Sequence, residues 1–414
     1  MKRTATAAVL TVVFLTAAAH ATTWVVDPSE PTAFQTIQAA VDTVAEGDTV
    51  LVTPGTYTGD GNRDIDIPDG INFVLKGEGG SSSVTIDGQD QINHHCFNLY
   101  SLRRDGHDAS MVIEGFTIRN FIVANNPHGP GAAIRLQFYE SPTIRDIVIE
   151  DCQALATWGA GIWCVNNCSP TIEDVVIRRC IANNGAAIYC STGSSPVLSN
   201  VTVEDCEVAQ HGTVYIVQNS SPQFTNCRFE RNTSATDAGA VYIWDNSAPA
   251  FQRCLFIENS AGTEGGAVHA WNYSDPVFNR CTFVHNTAAS GGDVMNFEGT
   301  SYPSVFSSII AFNGGTRGTT VQCDGTSPVS AQWCCLSSNA GGDDICGDGP
   351  GVTNFFIDDP LFCNIETLDL TLASNSPCLA GNNGWSKDIG ALDQGCTQSP
   401  VEETSWGSIK AMYR

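Results

Sequence analysis

Short runs of alternating apolar and polar residues recur along most of the chain, and a polar turn follows each run. An alternation of period two predicts β-strands, because successive side chains of a strand point to opposite faces. Helical periodicity is clear only in AFQTIQAAVDTVAEG (33–47), where it predicts an amphipathic helix. Asparagine, glycine, serine and proline fill the connections, which is typical of tight turns. The pattern therefore predicts an all-β chain with one helix near its start.

The predicted strands belong to a repeat of 26 to 28 residues. Each copy enters a short strand through a glycine- or alanine-rich step, as in GAAIRL, GAGIWC, GAAIYC, GTVYIV, GAVYIW, GGAVHA and GGDVMN. We call the β-branched residue at the start of that strand the anchor. The anchors are Ile134, Ile162, Ile188, Val214, Val241, Val268 and Val294. A unit of about 27 residues cannot bury an apolar face alone, so the copies must stack on one another.

Parallel stacking of short strands at this period predicts a single-stranded β-helix, with one coil per repeat and about 4.8 Å between coils. We expect roughly ten to twelve coils, with the helix in 33–47 covering the open strand edges of the first coil. A leucine-rich repeat is excluded because its leucine and asparagine consensus is missing. A propeller is excluded because its blades need about 40 residues.

Residues one period apart should lie directly above each other in such a stack. This predicts an amide ladder at the asparagines that close successive copies, Asn232, Asn259, Asn286 and Asn313. A second column contains Cys227, Cys254 and Cys281. We expect these thiols to be buried and unreactive, because no cationic residue lies nearby to lower their pKa. Cys164 and Cys190 share a third column, where a cross-link between coils is an open alternative.

Two segments resemble known families. FQTIQAAVDTVAEGDTVLVTPGTYTG (34–59) resembles the opening of right-handed β-helix proteins of the pectin-lyase-like superfamily, including pectin methylesterases. The GGAV-type steps, together with the Phe-x-x-Asn runs that end at Asn232, Asn259 and Asn286, resemble repeats of polymorphic outer membrane proteins and of secreted bacterial β-helix proteins. The resemblance covers residues 24–396 and implies a right-handed coil, but a fold alone assigns no activity. Because the methylesterase likeness ends before the segments with its catalytic residues, the catalytic residues of this chain are unknown.

The N-terminus has the order of a secretory signal peptide. Lys2 and Arg3 precede an apolar run, and Ala19-His20-Ala21 predicts cleavage after Ala21 and a secreted or cell-surface protein. We divide the chain into five parts: a signal peptide (1–21), an N-terminal cap with the first coils (22–121), regular coils (122–313), cysteine-rich closing coils or a cap (314–396), and a linker with a tail (397–414). The final WGSIKAMYR is either a sorting signal, a docked segment or a frayed end.

The net charge of the chain limits the partners that we expect it to bind, and its cysteine content limits the cross-links. A formal net charge of −25 excludes nucleic acid and disfavours anionic polysaccharides unless a cation bridges them. The 17 cysteines are an odd number, so at least one is unpaired. Disulfides are expected to staple the C-terminal region, with Cys378 and Cys396 as one candidate pair. The chain contains no Cys-x-x-Cys pair of the zinc-binding type, so we expect no metal and no cofactor. We also expect that the chain has no transmembrane segment and that the protein is a monomer.

Aromatic residues stand where the alternation directs side chains outward. The anchor and the second residue after it point inward, whereas the first and third residues after it point outward. These outward positions supply the candidate ligand-binding residues Trp163, Tyr189, Tyr215, Tyr242, Trp244, His269 and Trp271. Either the rings form a platform for sugars, with Asp245 and Asn272 available to bind hydroxyl groups, or they stabilise one another from coil to coil.

We therefore expect an exported, non-catalytic protein that binds glycan or another surface partner along these rings. The alternatives are a polysaccharide lyase or hydrolase and a structural or adhesive rod. The histidine–glycine pairs at 128–129 and 211–212 are expected to be turns without partners. GNRDIDIPDG (61–70) and GGDDICGDG (341–349) are also expected to be turns, because neither has the spacing of an EF-hand.

Overall fold

The computed structural model describes residues 21–101, 106–124, 129–315, 320–340, 342, 345–346 and 352–397. They form a parallel β-helix of about 13 turns, slightly more than the ten to twelve predicted, because the first and last turns lack the repeat motif. The predicted signal peptide up to His20, the tail WGSIKAMYR, His128 and most of 341–349 lie outside the described residues.

The first sheet contains 22 strands, because each coil contributes a long strand or two short ones. Its early strands are Thr23–Val26, Thr49–Val52, Gly55–Tyr57, Val74–Gly77, Val84–Asp87, Val112–Arg119, Thr143–Glu150 and Thr171–Arg178. Its later strands are Val197–Ser199, Thr202–Glu204, Gln223–Thr225, Arg228–Glu230, Ala250–Gln252, Leu255–Ile257, Val277–Asn279, Thr282–Val284, Ser304–Phe306, Ile309–Ala311, Ser330–Gln332, Cys335–Ser337, Val352–Thr353 and Phe356–Ile357.

Two further parallel sheets complete the coils. The second sheet consists of Ile65–Asp66, Phe97–Tyr100, Ile134–Gln137, Ile162–Val165, Ile188–Ser191, Val214–Val217, Val241–Trp244, Val268–Trp271, Met295–Phe297 and Val321–Cys323. The third sheet consists of Ile122–Val123, Gln153–Trp158, Ile181–Asn184, Glu207–His211, Thr233–Ser234, Ser260–Ala261, Thr287–Ala288 and Gly314–Gly315.

The strand register places the predicted anchors above one another from Ile134 to Val268. In the next coil the prediction is wrong by one residue, because Val268 pairs with Met295 and not with Val294. Met295 and Phe297 accordingly point into the core, and Asn296 occupies the first outward position. The step from Val268 to Met295 is 27 residues, the same as the two steps before it. The first Gly of GGDVMN was aligned with that of GGAVHA, but the glycine equivalent to Gly265 is Gly292, one residue later.

The glycine at the strand entry has a steric reason. Gly265 has a φ of +66°, and a Cβ atom there would lie 2.3 Å from the carbonyl oxygen of Val268. Only glycine avoids this contact at low cost. The turn bends the chain sharply and leaves the side chain of Glu264 beside the second sheet.

The helix is much shorter than the predicted 33–47. It spans Ile37–Val41, and the Thr36 hydroxyl accepts a hydrogen bond from the Ala39 amide (3.3 Å). The Asp48 carboxylate accepts hydrogen bonds from the Ala45 amide and the Trp24 indole, both 2.9 Å long, so the chain leaves the helical path early. Ile37 and Val41 are fully buried, and the helix therefore still closes the N-terminal end of the core.

The interior confirms the predicted columns. The Asn232 amide donates to the Asn259 Oδ1 atom over 3.0 Å, and the same contact continues through Asn286, Asn313 and Asn339. Phe256 stacks on Phe283 with 4.5 Å between ring centroids.

Thirteen cysteines are buried free thiols. They include Cys164 and Cys190, so the structure does not contain the cross-link left open above. Burial raises the pKa of the Cys254 thiol, which keeps it protonated and inert.

The C-terminal segment differs from a simple end cap. A three-stranded sheet formed by Phe362–Asn364, Asp369–Ala373 and Gln394–Cys396, with a 3-10 helix at Ile365–Thr367, lies against the outside of the first sheet. It shares a second apolar core with Leu255, Val284 and Ile309. The disulfides are Cys323–Cys346 and Cys363–Cys396, so the predicted Cys378–Cys396 pair is wrong. Cys378 is a buried thiol.

Candidate functional site

The outer face of the second sheet contains a continuous column of side chains, which we call the first column. It consists of the residue after the anchor position in each coil: Asp66, Asn98, Arg135, Trp163, Tyr189, Tyr215, Tyr242, His269, Asn296 and Gln322. The column is aromatic in the middle and polar at both ends. The stacking of coils is what turns these scattered residues into one surface.

The aromatic middle of the first column is closed to solvent. The Tyr189 and Tyr215 rings stack with 5.5 Å between centroids, and Tyr215 and Tyr242 stack at 5.3 Å. Trp163 and His269 are buried as well. Because planar rings at the coil spacing cover each other's faces, this column does not form the platform for sugars that was one of the two interpretations of the sequence. The interpretation that the rings stabilise one another describes Tyr189, Tyr215, Tyr242 and His269, whereas Trp163 is covered by the guanidinium of Arg135.

A second column, formed by the third residue after the anchor, is more open. It consists of Tyr100, Gln137, Val165, Ser191, Val217, Trp244 and Trp271. Trp271 is 44% exposed and Tyr100 is 37% exposed, whereas Trp244 is partly buried against Trp271 (6.2 Å between centroids). Of the seven predicted ligand-binding residues, Trp244 and Trp271 therefore retain accessible ring surface.

A shallow trough of about 700 Å³ runs beside the second column. It is lined by the turn residues Asn167, Thr192, Gly193, Gln218, Asn219 and Asp245. The Gln218 Oε1 atom accepts hydrogen bonds from the hydroxyls of Ser191 (2.7 Å) and Thr192 (3.0 Å). The trough thus offers a row of amide and carboxylate groups between two exposed rings of the second column.

A deeper cavity of about 540 Å³ lies at the N-terminal end of both columns. It is lined by Asp64, Asp66, Asn93, His94, His95, Asn98, Tyr100, Arg135 and Gln137. Asn98 links two of its charged groups, because its amide donates to Asp66 (2.7 Å) and its oxygen accepts from Arg135 (3.2 Å). Asp64 accepts a hydrogen bond from the His95 amide (3.0 Å) and contacts the His94 imidazole.

Arg135 is the most unusual residue of this cavity. It is only 5% exposed, and its guanidinium lies 5.3 Å above the Trp163 ring, in a cation–π contact. Burial lowers its pKa, and the charges of Asp66 and Tyr100 oppose that effect. The group remains a cation and a fixed hydrogen-bond donor at neutral pH.

The other end of the first column holds a histidine between carboxylates. One oxygen of Asp237, one of Glu264 and a ring nitrogen of His269 all lie within 4.8 Å of one another. The Asn296 amide donates to Glu264 (2.7 Å), and the Thr263 hydroxyl donates to Asp237. We call Asp237, Glu264 and His269 the three-residue cluster.

The electrostatics of this cluster differ for each member. Burial lowers the pKa of His269 to about 4, although the charge of Asp237 opposes the shift. Burial also raises the pKa of Glu264, and the charges of Glu298 and Asp237 add to it. For Asp237 burial acts in the same upward direction, but hydrogen bonds with His211 and Thr263 outweigh it, and its pKa is lowered. His269 is therefore neutral at pH 7.

The prediction that His211 lies in a turn without a partner is wrong. Its Nδ1 atom lies 3.4 Å from the Asp237 Oδ2 atom, and its ring stacks on Tyr242 with 4.6 Å between centroids. Asp237 and Glu264 were not among the functional residues predicted from the sequence. Each lies four residues before its anchor, so extending the repeat columns back by four positions would have placed them together. Within the part of the chain that the structure describes, no metal-type cluster occurs in 61–70.

Known proteins resemble this chain in fold. A family model described as "Right handed beta helix region" matches residues 77–229 and 181–354, more than half of the chain. Among solved structures, the pectate lyase Pel9A is similar, with 14% sequence identity and a TM-score of 0.47 over 90% of this chain and 96% of that chain. That likeness concerns the fold alone. No curated protein matches the sequence. Among the described residues, no helix has the length and apolar character needed to span a membrane.

Proposed function

The chain belongs to the right-handed β-helix family, and from that premise we propose that it is an exported protein that binds a neutral polysaccharide on the outer face of its second sheet. Because this fold assigns no activity by itself, the proposal depends on the surface that the coils build. The observation that carries it is the amide-lined trough with an exposed ring near each end, Tyr100 and Trp271.

The length of this surface favours a chain-like ligand. Six coil steps separate Tyr100 from Trp271 in the second column, which corresponds to about 29 Å along the axis. Between them the second column contains the small, buried residues Val165, Ser191 and Val217. A single small molecule would contact only part of such a surface, whereas an extended polymer would contact all of it.

The chemistry of the surface favours an uncharged polymer. Exposed rings provide apolar faces for sugar rings, and the amides and carboxylates of the trough provide partners for hydroxyl groups. Asp64, Asp66 and Asp245 line the cavity and the trough, and the whole chain has a net charge of −25. Carboxylated or sulfated glycans would be repelled by this field.

The proposal is tested by affinity electrophoresis of the mature protein in gels that contain neutral or acidic polysaccharides. We expect retardation by at least one neutral polymer, with affinity about 5- to 10-fold weaker in Trp271→Ala and in Tyr100→Ala. Phe355→Ala is the matched control, because Phe355 is also 44% exposed but lies outside the second column.

Two results would overturn the proposal, and a third would show that the bound polymer is also cleaved. Unchanged binding by both ring variants would exclude the second column. Absence of binding to every polysaccharide would favour a structural rod. Release of reducing ends from a bound polymer, abolished by Asp66→Asn, would indicate a polysaccharide hydrolase that acts in the N-terminal cavity.

A further inference from the structure

The three-residue cluster is brought together by the coil register. Asp237 and Glu264 occupy equivalent turns one coil apart, where the Ala238 amide donates to the Glu264 carbonyl oxygen over 3.0 Å. His269 follows the anchor Val268 in the first column. Residues from a turn and a strand of one coil thus converge with a turn residue of the previous coil. The site lies on the opposite side of the first column from the polysaccharide trough.

His269 is the unusual member of this cluster. Its side chain is almost fully buried, with 4% of the residue exposed, and neither ring nitrogen has a hydrogen-bond partner. The nearest carboxylate of another coil, Glu298, lies 3.8 Å from its Nε2 atom, too far for a hydrogen bond. A buried imidazole whose two nitrogens have no hydrogen-bond partner is energetically unfavourable. A bound group that contacts these nitrogens and the nearby carboxylates would remove this cost.

We propose that Asp237, Glu264 and His269 bind one divalent first-row transition-metal ion. An imidazole nitrogen and two carboxylate oxygens form a mixed donor set that suits zinc, cobalt, manganese or iron, whereas calcium and magnesium prefer oxygen ligands alone. Bonds of about 2.0–2.2 Å place the ligand atoms of one ion about 3–4 Å apart. The observed separations of up to 4.8 Å are slightly larger. Binding therefore requires the carboxylates of Asp237 and Glu264 to rotate toward the ion.

The surroundings of the cluster have the features of a second ligand shell. Asn296 donates to Glu264, while Thr263 donates to Asp237 and His211 approaches its other oxygen. Such outer contacts orient metal ligands and raise their affinity. Glu298 is placed to supply a fourth ligand, since its carboxylate already approaches His269. Among the described residues, this is the one group of histidine, cysteine and acidic side chains with metal-type spacing.

The test is a titration of the chelator-treated full-length mature protein with Co²⁺, followed by visible absorption. Cobalt is chosen because thiolate ligation gives a near-ultraviolet charge-transfer band that nitrogen and oxygen ligation does not. The absence of that band therefore distinguishes cobalt bound at the three-residue cluster from cobalt bound to any of the 13 buried thiols. We expect one equivalent bound, a spectrum without thiolate character, and a rise in the unfolding temperature of the wild-type protein on metal addition.

Variants locate the ion. His269→Asn and Glu264→Gln are expected to weaken cobalt binding about 100-fold or more, and Asn296→Ala by about 10-fold as a positioning residue. His285→Asn and Glu258→Gln are the matched controls, because both residues lie outside the cluster, and they should bind cobalt like the wild type. Circular dichroism and the unfolding temperature of each metal-free variant show whether it is folded.

The proposal fails if the wild-type protein binds no cobalt at micromolar concentration. It also fails if a folded His269→Asn or Glu264→Gln variant binds as tightly as the wild type, or if the spectrum shows thiolate ligation. Because Trp271 and Tyr100 lie outside the cluster, loss of polysaccharide binding in their variants would leave this result unchanged.

Discussion

The outer faces of the first and second sheets both carry apolar side chains, but the chain covers them differently. On the first sheet, Leu255, Val284 and Ile309 lie beneath the C-terminal segment, in a second apolar core. On the second sheet, Tyr189, Tyr215 and Tyr242 cover one another. In both regions, the outward apolar side chains contact other parts of the same chain and are not open to a ligand.

Side-chain shape explains the difference. Planar rings at the coil spacing exclude water from each other's faces, and the rings of Trp158 and His211 stack on Tyr189 and Tyr242, so the tyrosine column needs no separate covering segment. Branched aliphatic side chains cannot do this, and water would contact every outward leucine or isoleucine of the first sheet. A separate segment, tied by the Cys363–Cys396 disulfide, is required there.

The largest expected effect comes from breaking the cover of the first sheet. Leu372→Asp places an unpaired charge in the second apolar core, where Leu372 is 1% exposed, and should destabilise the segment by about 4 kcal/mol or more. Limited proteolysis followed by mass spectrometry should then find cleavage in 358–397, while the coils stay intact. Thr367→Asp adds the same charge at an exposed position of the segment and should resist cleavage. Equal resistance of both variants would mean that the segment does not depend on this core.

A smaller effect is expected from interrupting the ring stack. Tyr215→Ala removes a ring that contacts Tyr189 and Tyr242 and should lower the free energy of unfolding by about 2–3 kcal/mol. Chemical denaturation measures the change. Tyr273→Ala serves as control, because Tyr273 is 56% exposed, and it should change stability by less than about 0.5 kcal/mol. Equal effects of the two substitutions would contradict the stack as a stabilising element.

The smallest expected effects are opposite responses to pH. Hydrogen bonds from Arg253 and Arg280 hold the pKa of Asp393 below its ordinary value. These contacts, which we call the tether, therefore stabilise the protein fully above about pH 4 and weaken as the pH falls through the lowered pKa. Burial raises the pKa of Tyr215, with the charge of Tyr189 adding to it. Its contribution is therefore complete below about pH 10 and is lost as the pH rises through the raised value.

Stability profiles against pH separate these two regions. Asp393→Asn should remove the loss of folding stability at acidic pH. We expect that loss to be under about 1 kcal/mol, because the Asp393 side chain is 63% exposed. Tyr215→Phe should reduce the alkaline-side loss and leave the acid side unchanged. If Asp393→Asn altered only the alkaline side, the assignment of the tether would be wrong.

Much of the fold follows from the repeat because coil contacts have a fixed sequence spacing. The Asn232 ladder and the inward anchors connect residues 26 to 28 positions apart, and that interval is readable as a period. The prediction failed at Met295, where the Gly-Gly motif lies one residue out of phase with the period, and at Cys378, where spacing did not determine pairing. The candidate site was predicted in part, since Trp271 is accessible but Tyr215 is not.

By itself, the sequence determined the parallel stacking of coils, the alternation of buried and outward residues, and the aromatic column, because each depends on local periodicity. Only the tertiary structure decided which outward residues remain exposed. Arg253 contacts Asp393 across 140 residues, and no period encodes that contact. The period aligns Asp237 with Glu264, but it does not encode the approach of His269, which depends on how the turn and the strand of one coil meet in three dimensions. Exposure and side-chain convergence are properties of packing in three dimensions, whereas the coil is a property of repetition along the chain.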